Sequence, residues 1–225
     1  ITTDPGQRTD ISARHPELTK KLRQQARLHA QAMQACFQAN EDRPFHVGFG
    51  PSTSLPARDG VPHGTIQRSS KAPNNSFFTH WTSPDDSITW DVDVHHTGDY
   101  EVIVYYTCAA GNEGVTLQIG MGTGGSVAAR VTQVFDPPLY DKSKERVANS
   151  HYFVKDFQPL RLGTVQLKKG RGTLTLNALN LQGPQAVDVH SLEIAPPGVP
   201  HLRTSCGAKQ TNFSPALVTG PNFAL

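Results

Sequence analysis

The chain has 225 residues, a formal net charge of +2 and a hydrophobic share of 36%. This length allows one sizeable core with appendages, and the near-neutral charge, without a dense block of lysine and arginine, argues against a nucleic-acid partner. No apolar run approaches the ~20 residues of a membrane-spanning helix. The 19 glycines and 17 prolines indicate many turns between short elements, which favours an all-β sandwich over a helical bundle.

The N-terminal segment predicts one long helix. Asp4-Pro5-Gly6-Gln7 is typical of a turn, in which the glycine is expected to supply the positive φ. Pro16 then stands where a first helical residue belongs, and Glu17 suits the positive end of the helix dipole. From there to Ala39, apolar residues recur every three or four positions, namely Leu18, Leu22, Ala26, Ala30, Met33 and Phe37. This apolar stripe needs a partner, either the β domain or something outside this chain.

The stretch Ser87–Thr107 predicts a β-hairpin, in which two strands are joined by a turn at Thr97-Gly98-Asp99. On the first strand, Ile88, Trp90, Val92 and Val94 alternate with polar residues, so one face is buried and the other is wet. The second strand has apolar residues on both faces: Ile103 and Tyr105 lie on the face opposite to a first apolar face. We therefore expect this strand to be covered on both sides, near the centre of a sheet. That first face consists of Tyr100, Val102, Val104 and Tyr106.

Short strands are predicted on either side of this pair. The last one changes its apolar phase, which predicts a β-bulge near His190-Ser191. A turn at Lys168–Arg171 is expected to close a hairpin, and the long polar loop 135–151 is expected to be functional. The other predicted strands are Thr65–Arg68, Phe77–Trp81, Val115–Ile119, Val127–Val134, Tyr152–Lys155, Thr164–Leu167, Gly172–Ala178 and Val187–Ile194.

Three other groups of residues have the chemistry of a metal or catalytic site. Asp85-Asp86 and His95-His96 both lie at turns, and we interpret them as solvated turn residues rather than metal ligands. A hydrolase triad lacks support, because neither Gly-x-Ser-x-Gly nor His-Glu-x-x-His occurs. The cysteines are odd in number and none lies in a Cys-x-x-Cys pair, which argues against zinc at thiols; they are Cys36, Cys108 and Cys206.

Two sets of motifs resemble the C-terminal region of bacterial arylsulfatases. Residues 4–11, Asp-Pro-Gly-Gln-Arg-Thr-Asp-Ile, and then His15-Pro16-Glu17-Leu18 resemble the end of the catalytic domain, with Gln7 and Ile11 replacing the usual acid and Leu. The second set resembles the accessory β-sandwich that follows many such sulfatases, a galactose-binding-like jelly roll similar to carbohydrate-binding modules. It comprises Trp81–Ser83, Asp85–Trp90, Gly98–Val102, Gly163–Val165, Gly172–Leu176 and Val187–Val189.

The resemblance implies a non-catalytic C-terminal portion of a larger sulfatase. That parent would hydrolyse sulfate esters, on a sulfated carbohydrate, with formylglycine and calcium. The sulfatase nucleophile arises from Cys-x-Pro-x-Arg or its Ser equivalent, and no cysteine of this chain begins such a motif. We therefore expect no turnover from this chain alone, an upstream catalytic domain as its partner, and a periplasmic or secreted location.

The expected architecture is mainly β, an antiparallel β-sandwich preceded by one long amphipathic α-helix. The predicted boundaries are a helical segment of the sulfatase domain at 1–43, a linker at 44–64, the sandwich at 65–195 and a C-terminal tail at 196–225. The linker is expected because glycine and proline are frequent in it.

A sugar site requires an exposed aromatic ring for stacking and convergent polar groups for the hydroxyls. Residues of this kind in or beside the predicted loops are Trp81, Asp136, Tyr140, His151 and Asn180. Related sugar-binding sandwiches hold a structural calcium ion with an Asp on the last strand, and the resemblance places that ligand at Asp188. The first-strand Glu of those sites is missing around Ile66–Arg68.

Three functions stay open at this point. The chain is either an accessory or scaffold domain of a sulfatase, an independent carbohydrate-binding module, or a structural interaction domain that oligomerises through the helix stripe. Sulfated glycans are the expected ligands of the first two.

Overall fold

A computed structural model describes residues 4–71, 76–122, 124–140 and 154–199. The chain divides into two compact units, Ile1–Arg43 and Pro44–Leu225. The candidate residue His151, the second half of the loop 135–151 and nearly all of the predicted tail lie outside the described residues. Among those residues, no helix combines the length and the apolarity needed to cross a membrane.

The first unit is built on the predicted helix. A short 3-10 turn at Ser12–Arg14 precedes α1, which runs over Pro16–Ala39 as expected. The apolar stripe is exposed to solvent, with Leu18 at 54% and Phe37 at 77%. In the turn before the helix, the left-handed residue is Gln7, at φ 49°, rather than the glycine that the sequence suggested.

The second unit is a two-sheet sandwich, so the predicted fold class is confirmed. In its described part, one six-stranded sheet has the order β1-β6-β11-β8-β9, with β3 also paired to β6, and the other has the order β10-β7-β12-β5-β4, with β2 also paired to β12. All pairs are antiparallel except β1 with β6. The strands are β1 (Phe45–Val47), β2 (Thr53–Pro56), β3 (Val61–His63), β4 (Gln67–Arg68), β5 (Phe78–Thr79), β6 (Ser87–Val94), β7 (Gly98–Thr107), β8 (Thr116–Met121), β9 (Ser126–Arg130), β10 (Gln158–Leu167), β11 (Gly170–Ala178) and β12 (Asp188–Ala195).

The predicted faces of β6 and β7 are confirmed. The alternate apolar residues of both strands belong to one core, in which Trp90 is 1% exposed. Ile103 and Tyr105, on the opposite face of β7, are also buried, in a small second cluster with Phe77 and Phe157. β7 is therefore covered on both sides, as expected for a strand between β10 and β12.

The prediction of hairpins at two tight turns is wrong. β6 and β7 lie in different sheets, and so do β10 and β11. Three residues separate β6 from β7, and an extended chain of that length reaches about 10 Å, which is the spacing of packed sheets. The two turns lie together, since the Lys169 amide donates to Thr97 Oγ1 at 2.9 Å. Each turn thus carries the chain across the core.

The segment 44–64 is not the linker that its composition suggested. It contributes β1 and β3 to one sheet and β2 to the other. Val47, Leu55 and Ala57 are fully buried, at 0% exposure. The glycines and prolines separate very short strands here, and the apolar residues between them complete the core.

The predicted bulge in the last strand is confirmed, because the register of β12 against β7 shifts between Val189 and Ser191. A second shift, between Arg161 and Gly163 in β10, uses a glycine at φ 120°. The predicted strand at 152–155 is described only at Val154 and Lys155, which are not in a strand.

Asp86 is a buried anchor rather than a solvated turn residue, so that interpretation is wrong. It is 3% exposed, and its carboxylate accepts hydrogen bonds from Thr65 N, Thr65 Oγ1 and Ser83 N at 3.1, 2.5 and 3.1 Å. A Cβ on Gly64, which has φ +77°, would lie 1.8 Å from Asp86 Oδ1. The two loops around residues 64 and 83 are therefore held on one carboxylate, whereas Asp85 is exposed.

Cys108, at the end of β7, is a free thiol that is 1% exposed. Burial raises the pKa of this thiol to about 11, and the negative charges of Glu113, Asp136 and Asp188 act in the same direction. Since the thiolate is the reactive form, we expect Cys108 to react slowly in the folded protein. Cys36, on α1, is free and exposed.

We expect a chromogenic thiol reagent at pH 8 to modify Cys36 in the native protein and Cys108 only after unfolding. In a Cys206→Ser background, absorbance should report one reactive thiol per native chain and two in denaturant. The Cys36→Ser/Cys206→Ser variant should react only in denaturant. Native-state labelling of Cys108 at the rate of Cys36 would contradict its burial.

Substitution of Asp86 should destabilise the sandwich. Asp86→Ala removes a buried carboxylate that accepts three hydrogen bonds from Thr65 and Ser83, so the free energy of unfolding should fall by about 2–4 kcal/mol. The matched control is Asp85→Ala, which should change it by less than about 0.5 kcal/mol because that side chain is exposed. Chemical denaturation monitored by tryptophan fluorescence measures both, and equal effects of the two substitutions would refute the anchor.

Candidate functional site

A groove of about 680 Å³ lies at the β5-β4 end of the second sheet. We call it the edge groove. Its lining comes from β4 and β5 with their neighbours, from the segment 136–139 that follows β9, and from Lys155 and Asp188. It is the place where an apolar wall and several polar side chains of different segments come together.

Lys155 is a buried cation of the edge groove that pairs with two carboxylates. Its side chain is 7% exposed, and Nζ lies 2.7 Å from Asp188 Oδ2 and 3.3 Å from Asp136 Oδ1. The ammonium also lies over the rings of Phe77, at 5.1 Å, and Phe157, at 5.8 Å. Removing an ammonium from water is costly, and these contacts compensate for it. Asp136 keeps 49% of its side chain exposed, so one carboxylate remains accessible from the groove.

Arg68 supplies a second, differently held cation. Its Nη2 donates to the carbonyls of Arg58 at 2.8 Å and Gly60 at 3.0 Å, and its guanidinium lies 5.4 Å from the centre of the Phe78 ring. Both acceptors are neutral carbonyl oxygens, so they fix the position of the Arg68 side chain without neutralising its positive charge. The residue is exposed, and its charge is therefore presented to solvent in a defined place.

The backbone at His80 is in the left-handed region, with φ 61°, which is uncommon for a residue other than glycine. The His80 carbonyl oxygen lies 2.9 Å from Thr65 Oγ1, the same hydroxyl that Asp86 holds. The buried Asp86 carboxylate thus fixes the end of the groove at which the exposed His80 stands.

The apolar wall is formed by Pro137, Pro138 and Leu139, and the Leu139 side chain is 45% exposed. Tyr140 follows directly and is 49% exposed. Its amide donates to the Val154 carbonyl at 2.7 Å, and its hydroxyl donates to Asp156 Oδ1. The segment is thereby tied to the chain that leads to Lys155.

The structure separates the residues that sequence reasoning proposed for sugar binding. Asp136 lines the edge groove, and Tyr140 follows its apolar wall. Trp81 does not fit the proposed stacking role, because it is 1% exposed and its ring belongs to the core. Asn180 is used structurally: its Oδ1 accepts from Thr116 N at 2.9 Å and its Nδ2 donates to the Gly114 carbonyl at 3.1 Å.

Asp188, the proposed calcium ligand, is already engaged by two neighbouring side chains. Its Oδ2 accepts from Thr107 Oγ1 at 3.3 Å and from the Lys155 ammonium at 2.7 Å. Its Oδ1 and the Asn112 Oδ1 are buried without a partner among the described residues and line a small pocket of about 80 Å³. The oxygen chemistry suits calcium, whereas the Lys155 ammonium, which Asp188 shares with Asp136, opposes a second cation, so a calcium ion at this position stays a prediction.

Sequence reasoning missed Arg68 and Lys155. Arg68 and Lys155 are each the last residue of a predicted strand, Thr65–Arg68 and Tyr152–Lys155, and neither belongs to a recognisable motif. The one available signal was the aromatic and charged neighbourhood of Lys155, with Asp156 and Phe157 directly after it.

Comparisons with known proteins identify neither a family nor a curated relative. No family model matches the chain, and no curated protein matches it. Several solved structures match at low identity. One is a native family 35 carbohydrate-binding module from Clostridium thermocellum, at 12% identity and a TM-score of 0.44, covering 64% of this chain and 98% of that one.

Two further structures are comparable. A carbohydrate-binding module (CBM6cm-2) from Cellvibrio mixtus lichenase 5A, in complex with cellotriose, has 13% identity and a TM-score of 0.41, covering 63% of this chain and 95% of that one. The Podospora anserina GH26-CBM35 β-(1,4)-mannanase has 13% identity and a TM-score of 0.43 over 65% of this chain, which spans 28% of the mannanase. These scores are too low to carry a functional argument.

Proposed function

We propose that the sandwich unit is a carbohydrate-binding module and that the edge groove is its binding site. The observation that carries the proposal is the convergence of polar side chains from β4 and β5 with a partly exposed apolar wall, in an open groove of about 680 Å³. Sugars present both an apolar C–H face and a ring of hydroxyls, and sites for them combine the two kinds of surface.

The roles of individual residues follow from their chemistry. Leu139 and the prolines before it would contact the C–H face of a sugar ring. Gln67, Ser69 and Thr79 supply side chains that donate or accept hydrogen bonds. The exposed Asp136 carboxylate, held by Lys155 at 3.3 Å, would accept from a pair of hydroxyls. None of these groups forms a nucleophile with an adjacent base, so the proposed activity is binding.

Anionic sugars are the proposed ligand class within this function. Lys155 is balanced by two carboxylates, whereas the carbonyls that fix Arg68 leave its charge in place. A preoriented guanidinium suits the oxygens of a sulfate or carboxylate substituent. This choice agrees with the sulfated glycans expected from the sequence.

The sulfatase parentage is a separate proposal, supported by the motifs at residues 4–18. In it, the module would hold a sulfated glycan for a hydrolytic domain of the same, secreted protein. The coding sequence around this chain tests it: a Cys-x-Pro-x-Arg or Ser-x-Pro-x-Arg motif upstream is expected, and a different neighbouring domain would overturn it.

The binding proposal is tested by calorimetry of the chain with neutral, uronic and sulfated oligosaccharides. Leu139→Ala should weaken binding of every ligand about fivefold, because apolar contact is lost. Arg68→Gln should weaken only the anionic ligands, about tenfold, the loss expected for one charged hydrogen bond.

The matched controls are Leu179→Ala and Arg161→Gln. Leu179 is 52% exposed and the Arg161 side chain is 70% exposed, and neither lines the edge groove. Both variants should bind like the parent. Absence of binding to the whole panel, or equal loss in the controls, would refute the proposal, and thermal melts verify that each variant is folded.

A further inference from the structure

The outer face of the first sheet brings together three metal-ligating side chains that are far apart in the sequence. His46 lies on β1 and pairs in register with Asp93 on the parallel neighbour β6. His95 follows two residues after Asp93, so its side chain emerges on the same face. One ligand atom from each residue lies within 4.8 Å of the others.

We propose that His46, Asp93 and His95 form a binding site for a zinc-like divalent metal ion. The two nitrogens and the carboxylate oxygen are the donors that zinc takes in proteins, with an open fourth position for water. Hard ions such as magnesium prefer oxygen ligands and should not compete.

The observed distances need little adjustment to accept the ion. His46 Nδ1 and His95 Nε2 are 3.0 Å apart, and two nitrogens on one tetrahedral zinc, each at about 2.0–2.1 Å, are separated by about 3.3 Å. The Asp93 Oδ2 is 3.9 Å from His46 Nδ1, and all three ligand atoms lie within 4.8 Å of one another, so side-chain shifts of about 0.5–1.5 Å close the site.

Both histidines are held by backbone contacts. The His95 amide donates to the Val47 carbonyl at 2.9 Å, and Thr53 Oγ1 donates to the His46 carbonyl at 2.9 Å. The site is therefore preorganised at a sheet rather than at a flexible loop. The side chains of His46 and Asp93 are 36% and 38% exposed, so an ion can reach them from solvent.

The surroundings favour this assignment over a simple ion pair. Asp91, the next outward carboxylate of β6, is already paired with Arg171, and Asp93 faces His46 instead. The exposed ring of Phe49 lies 5.3 Å from the His95 ring and 6.4 Å from the His46 ring, which places an apolar group against the ligands. His96, the adjacent histidine, is exposed and does not belong to the cluster.

The test uses the full chain without a polyhistidine tag, with Cys36→Ser and Cys206→Ser removing thiols that would compete for zinc. Titration with ZnCl₂ by calorimetry should give one site, and zinc should raise the melting temperature. His46→Ala and His95→Ala should each weaken zinc binding at least tenfold. His96→Ala, the matched control, should bind zinc like the parent, and MgCl₂ should give no heat of binding.

Cobalt(II) provides a second measurement. If the histidines had a purely structural role, they would not give bound cobalt the absorption spectrum of nitrogen ligation. Visible absorption typical of four-coordinate cobalt with nitrogen ligands should appear in the parent and in His96→Ala, and be absent in His95→Ala. Unchanged zinc affinity in the His46→Ala/His95→Ala double variant, with its fold verified by circular dichroism, would overturn the proposal. So would the absence of zinc binding by the parent.

Discussion

Burial of the inward apolar faces of β6 and β7 in one core is the constraint on which the sandwich depends. Trp90 shows how tightly the two sheets are joined there. Its indole nitrogen, on the first sheet, donates to the Pro56 carbonyl of β2, on the second sheet, at 3.0 Å. A Cβ on Gly60 would lie 2.8 Å from the same indole ring, so the chain after β2 packs directly on it. The hydrogen bond satisfies the one polar atom of a ring that is 1% exposed.

Two surfaces outside this core could bind a ligand, the edge groove and the histidine cluster, and each is formed by a different part of the fold. The edge groove arises where the second sheet ends in the short strands β5 and β4 and the segment after β9 comes beside them. The histidine cluster arises on the outer face of the first sheet, where the one parallel pair, β1 with β6, aligns His46 with Asp93. Both depend on backbone pairing, which holds side chains more firmly than an isolated loop would.

Two buried charged side chains order the residues in and beside the groove. Asp86 gathers the loops at residues 64 and 83, and Lys155 joins Asp136 to Asp188. Such groups are costly to bury and are retained where several hydrogen bonds satisfy them. They fix the positions of the exposed residues beside them, His80 in one case and Asp136 in the other, so that a ligand would meet an ordered surface.

The sequence by itself determined the elements that depend on local periodicity. The helix Pro16–Ala39, the faces of β6 and β7 and the bulge in β12 were all predicted, because a side chain's burial follows from its phase along a helix or strand. Tertiary structure alone decided which strands pair. A short turn is equally compatible with a hairpin and with a crossing between sheets, so β6 and β7 were wrongly predicted to pair with each other in one sheet. The same reason explains why Trp81 was taken for a surface ring and why the proximity of His95 to His46 was not predicted: exposure and proximity depend on contacts between distant segments, which no local pattern encodes.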